Sequence, residues 1–404
     1  MKKLLLILLC LPIIGFGQEW TFGGNNEDWG YSVEQTNDGG YIVAGDSDGD
    51  IYILKTDGNG VQLWSQTFGG INDDVGFSIQ QTNDGGFIIT GKSSLGNGDY
   101  DVCLIKTDIN GIELWSQMFS LSGVDVGKSV YQTNDGGYIV TGSTHNFNGI
   151  FEVFVIKTDV SGNLQWIKNY GTGEGESIQQ TTDGGYIVSG NSDEDIYILK
   201  TDTYGDTLWT NTFVEGEGNS IQETIDGGYI ITGISVSNVL LIKTDSTGYE
   251  QWSQNYGGTD TDAGKSVQQT TDGGYIVCGY TYSFGNGEAD VYLIKIDVNG
   301  AEQWSQTFGD NNEDYSNSVQ QTIDGGYIIV GTKDANTTSV LDDIFLIKTD
   351  SQGSVTSIFN IPINPKRKLE KTIDILGKET KPKTNIPFIE IYDDGTVEKK
   401  IIIE

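Results

Sequence analysis

Apolar and polar positions along this chain alternate in short runs, and one run of them recurs. Ser78-Ile79-Gln80-Gln81-Thr82 alternates, Asn83-Asp84-Gly85-Gly86 interrupts it, and Phe87-Ile88-Ile89-Thr90 follows before Gly91. A loop leads to Asp101 and the apolar run Val102-Cys103-Leu104-Ile105-Lys106. A second turn, Asp108-Ile109-Asn110-Gly111, precedes a run from Ile112 to Phe119 that carries Trp115. Period-two runs bounded by Gly and Asp mark strands. An Asp-Gly pair between two of them marks a hairpin, because Gly accepts the positive φ that the turn needs. The pattern predicts four antiparallel strands in a unit of about fifty residues.

The unit occurs seven times. Its turn acid falls at Asp38, Asp84, Asp135, Asp183, Asp226, Asp272 and Asp324. Short-stranded repeats of this period build arrays of small sheets. Seven four-stranded units close into a ring, as propellers use about 4–8 such blades. The expected fold is therefore all-β: a seven-bladed β-propeller of four-stranded antiparallel blades over residues 18–360, followed by a small C-terminal β unit. Trp stands four residues after the second turn Gly in six copies, from Trp64 to Trp304, but the seventh has Ser357 there. Gln18-Glu19-Trp20-Thr21-Phe22 resembles a fourth strand. It is predicted to close the ring by pairing with Ile344 to Lys348. The recurrent Trp reads as packing between blades. The recurrent acid before the third strand, and the Lys five residues later (Lys55 to Lys348), read as polar contacts inside each blade, since functional sites tend to break repeat symmetry.

The phrase K-T-D-x-x-G-x-x-x-W resembles the quinoprotein-type (PQQ-like) propeller repeat over residues 18–359. That resemblance implies the fold. It does not extend to the cofactor, because the region has no Arg to hold an acidic quinone.

The ends differ from the repeats. Lys2 and Lys3, the apolar run Leu4 to Ile14 and the small-x-small site Gly15-Phe16-Gly17 read as a secretion signal over 1–17. The run is shorter than the roughly 20 residues needed to span a bilayer, and no later stretch is apolar enough to do so. Every Pro after Pro12 lies at Pro362, Pro365, Pro382 or Pro387. This break in composition places a linker at 361–365. Residues 366–404 then read as strands, with the element Ile373-Asp374-Ile375-Leu376-Gly377-Lys378. They resemble the C-terminal sorting domain of type IX secretion cargo from the Bacteroidota. The resemblance implies the type IX machinery as a partner, and a secreted or outer-membrane-surface location.

Formal charge is −34. Setting aside +2 in the leader and +1 in residues 360–404 leaves about −37 on the repeats. Such a surface fits nucleic acid and anionic membranes poorly, and divalent cations, cationic partners or simple solubility better. His145 is the only histidine, which leaves no zinc set and no ordinary triad. Cys103 and Cys278 lie in apolar strand phrases and are expected as buried thiols.

Candidate chemistry gathers on one face. The first-to-second and third-to-fourth turns are short and uniform. The second-to-third and blade-to-blade loops vary, and variable loops on a fixed scaffold are where binding resides. Those loops are acidic. Asp46, Asp48 and Asp50 alternate as oxygen ligands for calcium would. His145, Phe147, Tyr280, Tyr282 and Phe284 are candidate ligand-binding rings. No cofactor is required by any motif. The expected function is a secreted or cell-surface binding module for a glycan or extracellular protein. The alternatives are a polysaccharide-active hydrolase or lyase using carboxylates of that face, and a structural or adhesive spacer.

Overall fold

The computed structural model describes residues 18–22, 27–70, 72–94, 99–145, 149–335, 342–355, 369–374, 381, 388–392 and 397–400. The expected leader 1–17 and linker 361–365 lie outside the described residues. Within them every regular element is a strand, and no helix is long and apolar enough to cross a membrane.

The first blade consists of Asp28–Gln35, Tyr41–Ser47, Asp50–Thr56 and Gln62–Phe68, paired in that order. Five more blades repeat the order, and the seventh draws three strands from Glu313–Thr349 and one from Gln18–Phe22. The terminal strand pairs antiparallel with Ile344–Lys348, from Gln18↔Lys348 to Phe22↔Ile344, as the sequence predicts. Val355 bridges Thr349 where a fourth strand would begin. Both ends of the repeat region thus build blade seven.

The inner strands start earlier than the hydrophobic pattern alone places them. In the second blade Val75–Gln81 is paired, and Phe87–Ser93 runs through Gly91 instead of stopping there. A β-bulge between Gly76 and Ser78 hides this extension from a period-two reading. At the corresponding place in the first blade, a Cβ on Gly45 would fall 1.8 Å from the Trp29 carbonyl oxygen. The glycine there therefore permits backbone approach.

The core is divided among the blade interfaces. One buried cluster joins Ile42, Ile51 and Ile53 of blade one to Ile79, Phe87 and Ile105 of blade two. The last joins Ile328, Ile344 and Leu346 of blade seven to Val33, Tyr41 and Leu54 of blade one, with Trp20 among them. This cluster closes the ring. Truncating one such side chain costs about 2–5 kcal/mol.

Polar stitching reinforces each interface at the inner strands. A serine hydroxyl of every blade accepts the N–H of the next blade's apolar residue, at 3.2–3.4 Å, in an unbroken circle of seven. Two residues on, Gln80, Gln179, Gln222, Gln268 and Gln320 do the same with Oε1, and Glu34 with Oε2. Tyr131 interrupts this second belt. The repeated S-[VI]-x-Q phrase is therefore largely a code for joining neighbours.

The chain divides into two compact units, Met1–Ser357 and Ile358–Glu404. In the second, Leu369–Asp374, Phe388–Tyr392 and Val397–Lys400 form a three-stranded antiparallel sheet.

Candidate functional site

The seven recurrent lysines are structural, as repetition implies, and their partner is the acid of the first turn. Lys55 Nζ lies 3.0 Å from Asp38 Oδ1 and also donates to the Thr56 carbonyl. All seven blades keep this ion pair at 2.9–3.0 Å. Burial pushes the Asp38 carboxyl up. The Thr36 hydroxyl, the Gly40 amide and Lys55 outweigh it, so the group sits below its ordinary value. Cys103 and Cys278 are buried free thiols, each pushed up to about 12 by burial.

Many acids of the variable face are also internal. Asp28, Asp74, Asp125, Asp262 and Asp314 open the inner strands and are 0–2% exposed. Asp74 accepts the Gly70 and Ser94 amides. Asp262 accepts the Gly258 amide and the Ser283 hydroxyl. These carboxylates shape the blade-to-blade loops from within, and burying them is tolerable only because they are hydrogen-bonded.

The proposed calcium set does not converge. Ser47 faces Asp50 and Asp46 faces Ile51 across the hairpin, so Asp46 and Asp50 project from opposite faces of the sheet. Asp48 sits in the turn between them at φ 54°. Asp46 accepts a hydrogen bond from the Tyr31 hydroxyl, and its carboxyl is pushed up to about 7, chiefly by burial. Among the described residues no three His, Cys, Asp or Glu side chains form a metal-ligand cluster.

The predicted rings fall in two places. His145 ends its strand stacked on Phe151, with centroids 4.6 Å apart, so its ring is engaged within blade three. Phe147 lies outside the described residues. Three blades away, the structure brings Tyr280 and Tyr282 together, 6.0 Å apart and edge-on, and adds Tyr315 at 5.0 Å from Tyr280. The Tyr282 and Tyr315 hydroxyls are 2.8 Å apart, and each donates to the Glu313 carboxylate. Phe284 packs on Tyr292 yet stays 45% exposed. Tyr282 also lines an open cleft of about 630 Å³ with Ser237, Asp260, Thr261 and Glu288.

Sequence reasoning missed the residue just before the belt serine. It is Tyr31, Phe77, Lys128, Glu176, Asn219, Lys265 or Asn317 in successive blades. Lys128 pairs with Glu176 at 3.7 Å and lies over the Phe77 ring at 4.9 Å. Lys265 lies over Tyr280 at 6.0 Å. Burial lowers the Lys265 ammonium against the pull of Glu217 and Glu176. Asn219 and Asn317 instead donate to carbonyls of the next blade. The signal was present in the chain: one non-repeating position inside an otherwise uniform phrase.

No protein-family model and no curated protein matches the chain. Solved structures do. It is similar to U3-55K at 10% identity and a TM-score of 0.59, over 82% of this chain and 98% of that one. It is similar to the Dos1 propeller at 15% identity and a TM-score of 0.53, over 79% and 78%. The chain is a seven-bladed β-propeller. At these identities the likeness carries the fold alone.

Proposed function

We propose that this propeller is an exported interaction module. It binds an extracellular glycan or protein through the loop-face sector of blades five to seven. The observation that carries the reading is the break in sevenfold symmetry there. An open cleft, a tyrosine cluster tied to Glu313, a cation over Tyr280 and an exposed Phe284 share one sector. Aromatic bodies with polar tips suit both sugar and peptide partners. The acidic character of the repeats favours neutral or cationic partners over anionic ones. The leader and the terminal β unit support export to the periplasm and then across the outer membrane.

The test is a glycan and surface-protein binding array probed with the full chain. A hit that weakens at least tenfold in Tyr282→Ala and is unchanged in His145→Ala supports the reading. A hit insensitive to Tyr282 and Phe284 refutes the assigned sector. Deleting residues 366–404 is expected to hold the propeller in the periplasm, and normal secretion of the shortened chain would overturn the sorting role.

A further inference from the structure

The second belt leaves one hydrogen-bonding group uncommitted in six of the seven blades. Gln80, Gln179, Gln222, Gln268 and Gln320 each accept a backbone N–H from the next blade. The accepting atom must be the amide oxygen, so the orientation of each carboxamide is set. Each Nε2H2 is left in the wall of a cavity of about 230 Å³ that all seven inner strands line. Among the described residues no protein acceptor meets any of these five groups. Glu34 occupies a sixth position. Its Oε2 accepts the Gln81 amide, which leaves Oε1 as an acceptor on the same wall. Tyr131 stands at the seventh.

Five neutral donors and one carboxylate define a narrow ligand chemistry. A divalent cation seeks converging oxygens and would meet amide N–H groups. An oxyanion would suit the amides but would face the Glu34 carboxylate inside a domain carrying about −37. A hydroxyl group accepts from an amide N–H and donates to a carboxylate at once. Several hydroxyls on one small frame satisfy both kinds of partner. The cavity has room for several waters or one molecule of hexose size.

We infer that this carboxamide belt is a subsite for a single sugar residue or comparable small polyol, held within the ring. The inference is independent of the loop-face sector.

The test is saturation-transfer NMR on the full chain at about pH 8.5, where Glu34 is ionised, with glucose, galactose, mannose and N-acetylglucosamine, and sulfate added as a competitor. At least one monosaccharide is expected to bind with a Kd in the millimolar range. Glu34→Gln keeps the belt's acceptor but removes the charged one, and is expected to weaken binding about tenfold. Gln222→Leu is expected to weaken it similarly, whereas Tyr282→Ala leaves it unchanged. Equal melting temperatures of wild type and Glu34→Gln at pH 5 exclude misfolding. Absence of binding by all four sugars would overturn the inference. So would displacement by sulfate with tighter binding in Glu34→Gln, which is the mark of an anion site. Loss of binding in Tyr282→Ala with retention in Glu34→Gln would assign the sugar to the loop cleft instead.

Discussion

Trp20 stands opposite Leu346, two residues out of the register that Trp64 keeps with Lys55. Counted from Phe22↔Ile344, which matches Phe68↔Ile51, Trp20 occupies the place of Gln66. Parity is kept, so its ring reaches the interface and covers Gly60 of blade one, as Trp64 covers Gly111. The shift sinks Trp20 to 4% exposure and leaves its Nε1 without a hydrogen-bond partner. Trp20→Ala is therefore expected to cost about 3–5 kcal/mol. Trp20→Phe gives up volume but also removes an unpaired donor, and is expected to cost under about 1.5 kcal/mol. Urea denaturation of the two variants checks this, and equal losses would show that Nε1 carries no penalty.

The lysine–aspartate pairs give an asymmetric prediction. The Lys200 side chain is 4% exposed and that of Asp183 is 58% exposed. Removing the acid strands a buried ammonium, whereas removing the lysine returns an aspartate to water. Asp183→Ala is expected to cost about 1–2 kcal/mol, reduced by solvent at the acid, and Lys200→Met less than about 1 kcal/mol. Partial burial raises Asp183, but Thr181, Lys200 and the Gly185 amide hold it lower than usual. Its folded value is depressed, so its contribution is present above the unfolded carboxylate value and is lost as pH falls through the folded one. With seven such pairs, stability should drop steeply below about pH 4. A flat profile from pH 5 to pH 2 would contradict it.

Ring closure, blade count and the strand Gln18–Phe22 were legible in the sequence because each depends on a repeated local pattern. The bulge at Gly76/Ser78 was not, since it adds one unpaired residue and breaks the period of two. The partner of Lys55 was also hidden. Asp38 lies 17 residues away, and only the hairpin turn brings the two within reach. The loop acids divide into buried Asp74 and Asp262 and outer Asp260, a difference set by backbone amides of the folded loop. Of the candidate rings, Tyr280 and Tyr282 touch directly and are joined by Tyr315 of the next blade, a neighbour that spacing alone does not reveal.

The hairpin at Val236-Ser237 carries strain on the functional face. Both residues have positive φ, 46° and 68°, and Val236 is 82% exposed. A β-branched residue is costly in that region, where Asn-Gly fits. Val236→Asn with Ser237→Gly is expected to stabilise the propeller by about 1–2 kcal/mol. Ser237 lines the cleft beside Tyr282. Thermal melts paired with the binding array separate the two effects: a gain in stability with lost binding would mean that the strained turn serves recognition.

Glu34 supplies a pH dependence opposite in sign to that of the outer aspartates. Burial pushes its carboxyl up to about 7, against the lowering effect of the Gln81 amide. The folded protein therefore holds a proton there that the unfolded chain releases above its ordinary value of 4.5. Stability from this group is full below that value and is lost as pH rises through about 7. Glu34→Gln stays neutral and still accepts the Gln81 amide. It should match wild type at pH 4.5 and exceed it by about 1–2 kcal/mol at pH 8.5, a figure reduced for water in the channel. Denaturant melts of the two proteins across that range check it. Parallel stability curves would show that the carboxylate is solvated as well in the ring as in the unfolded chain.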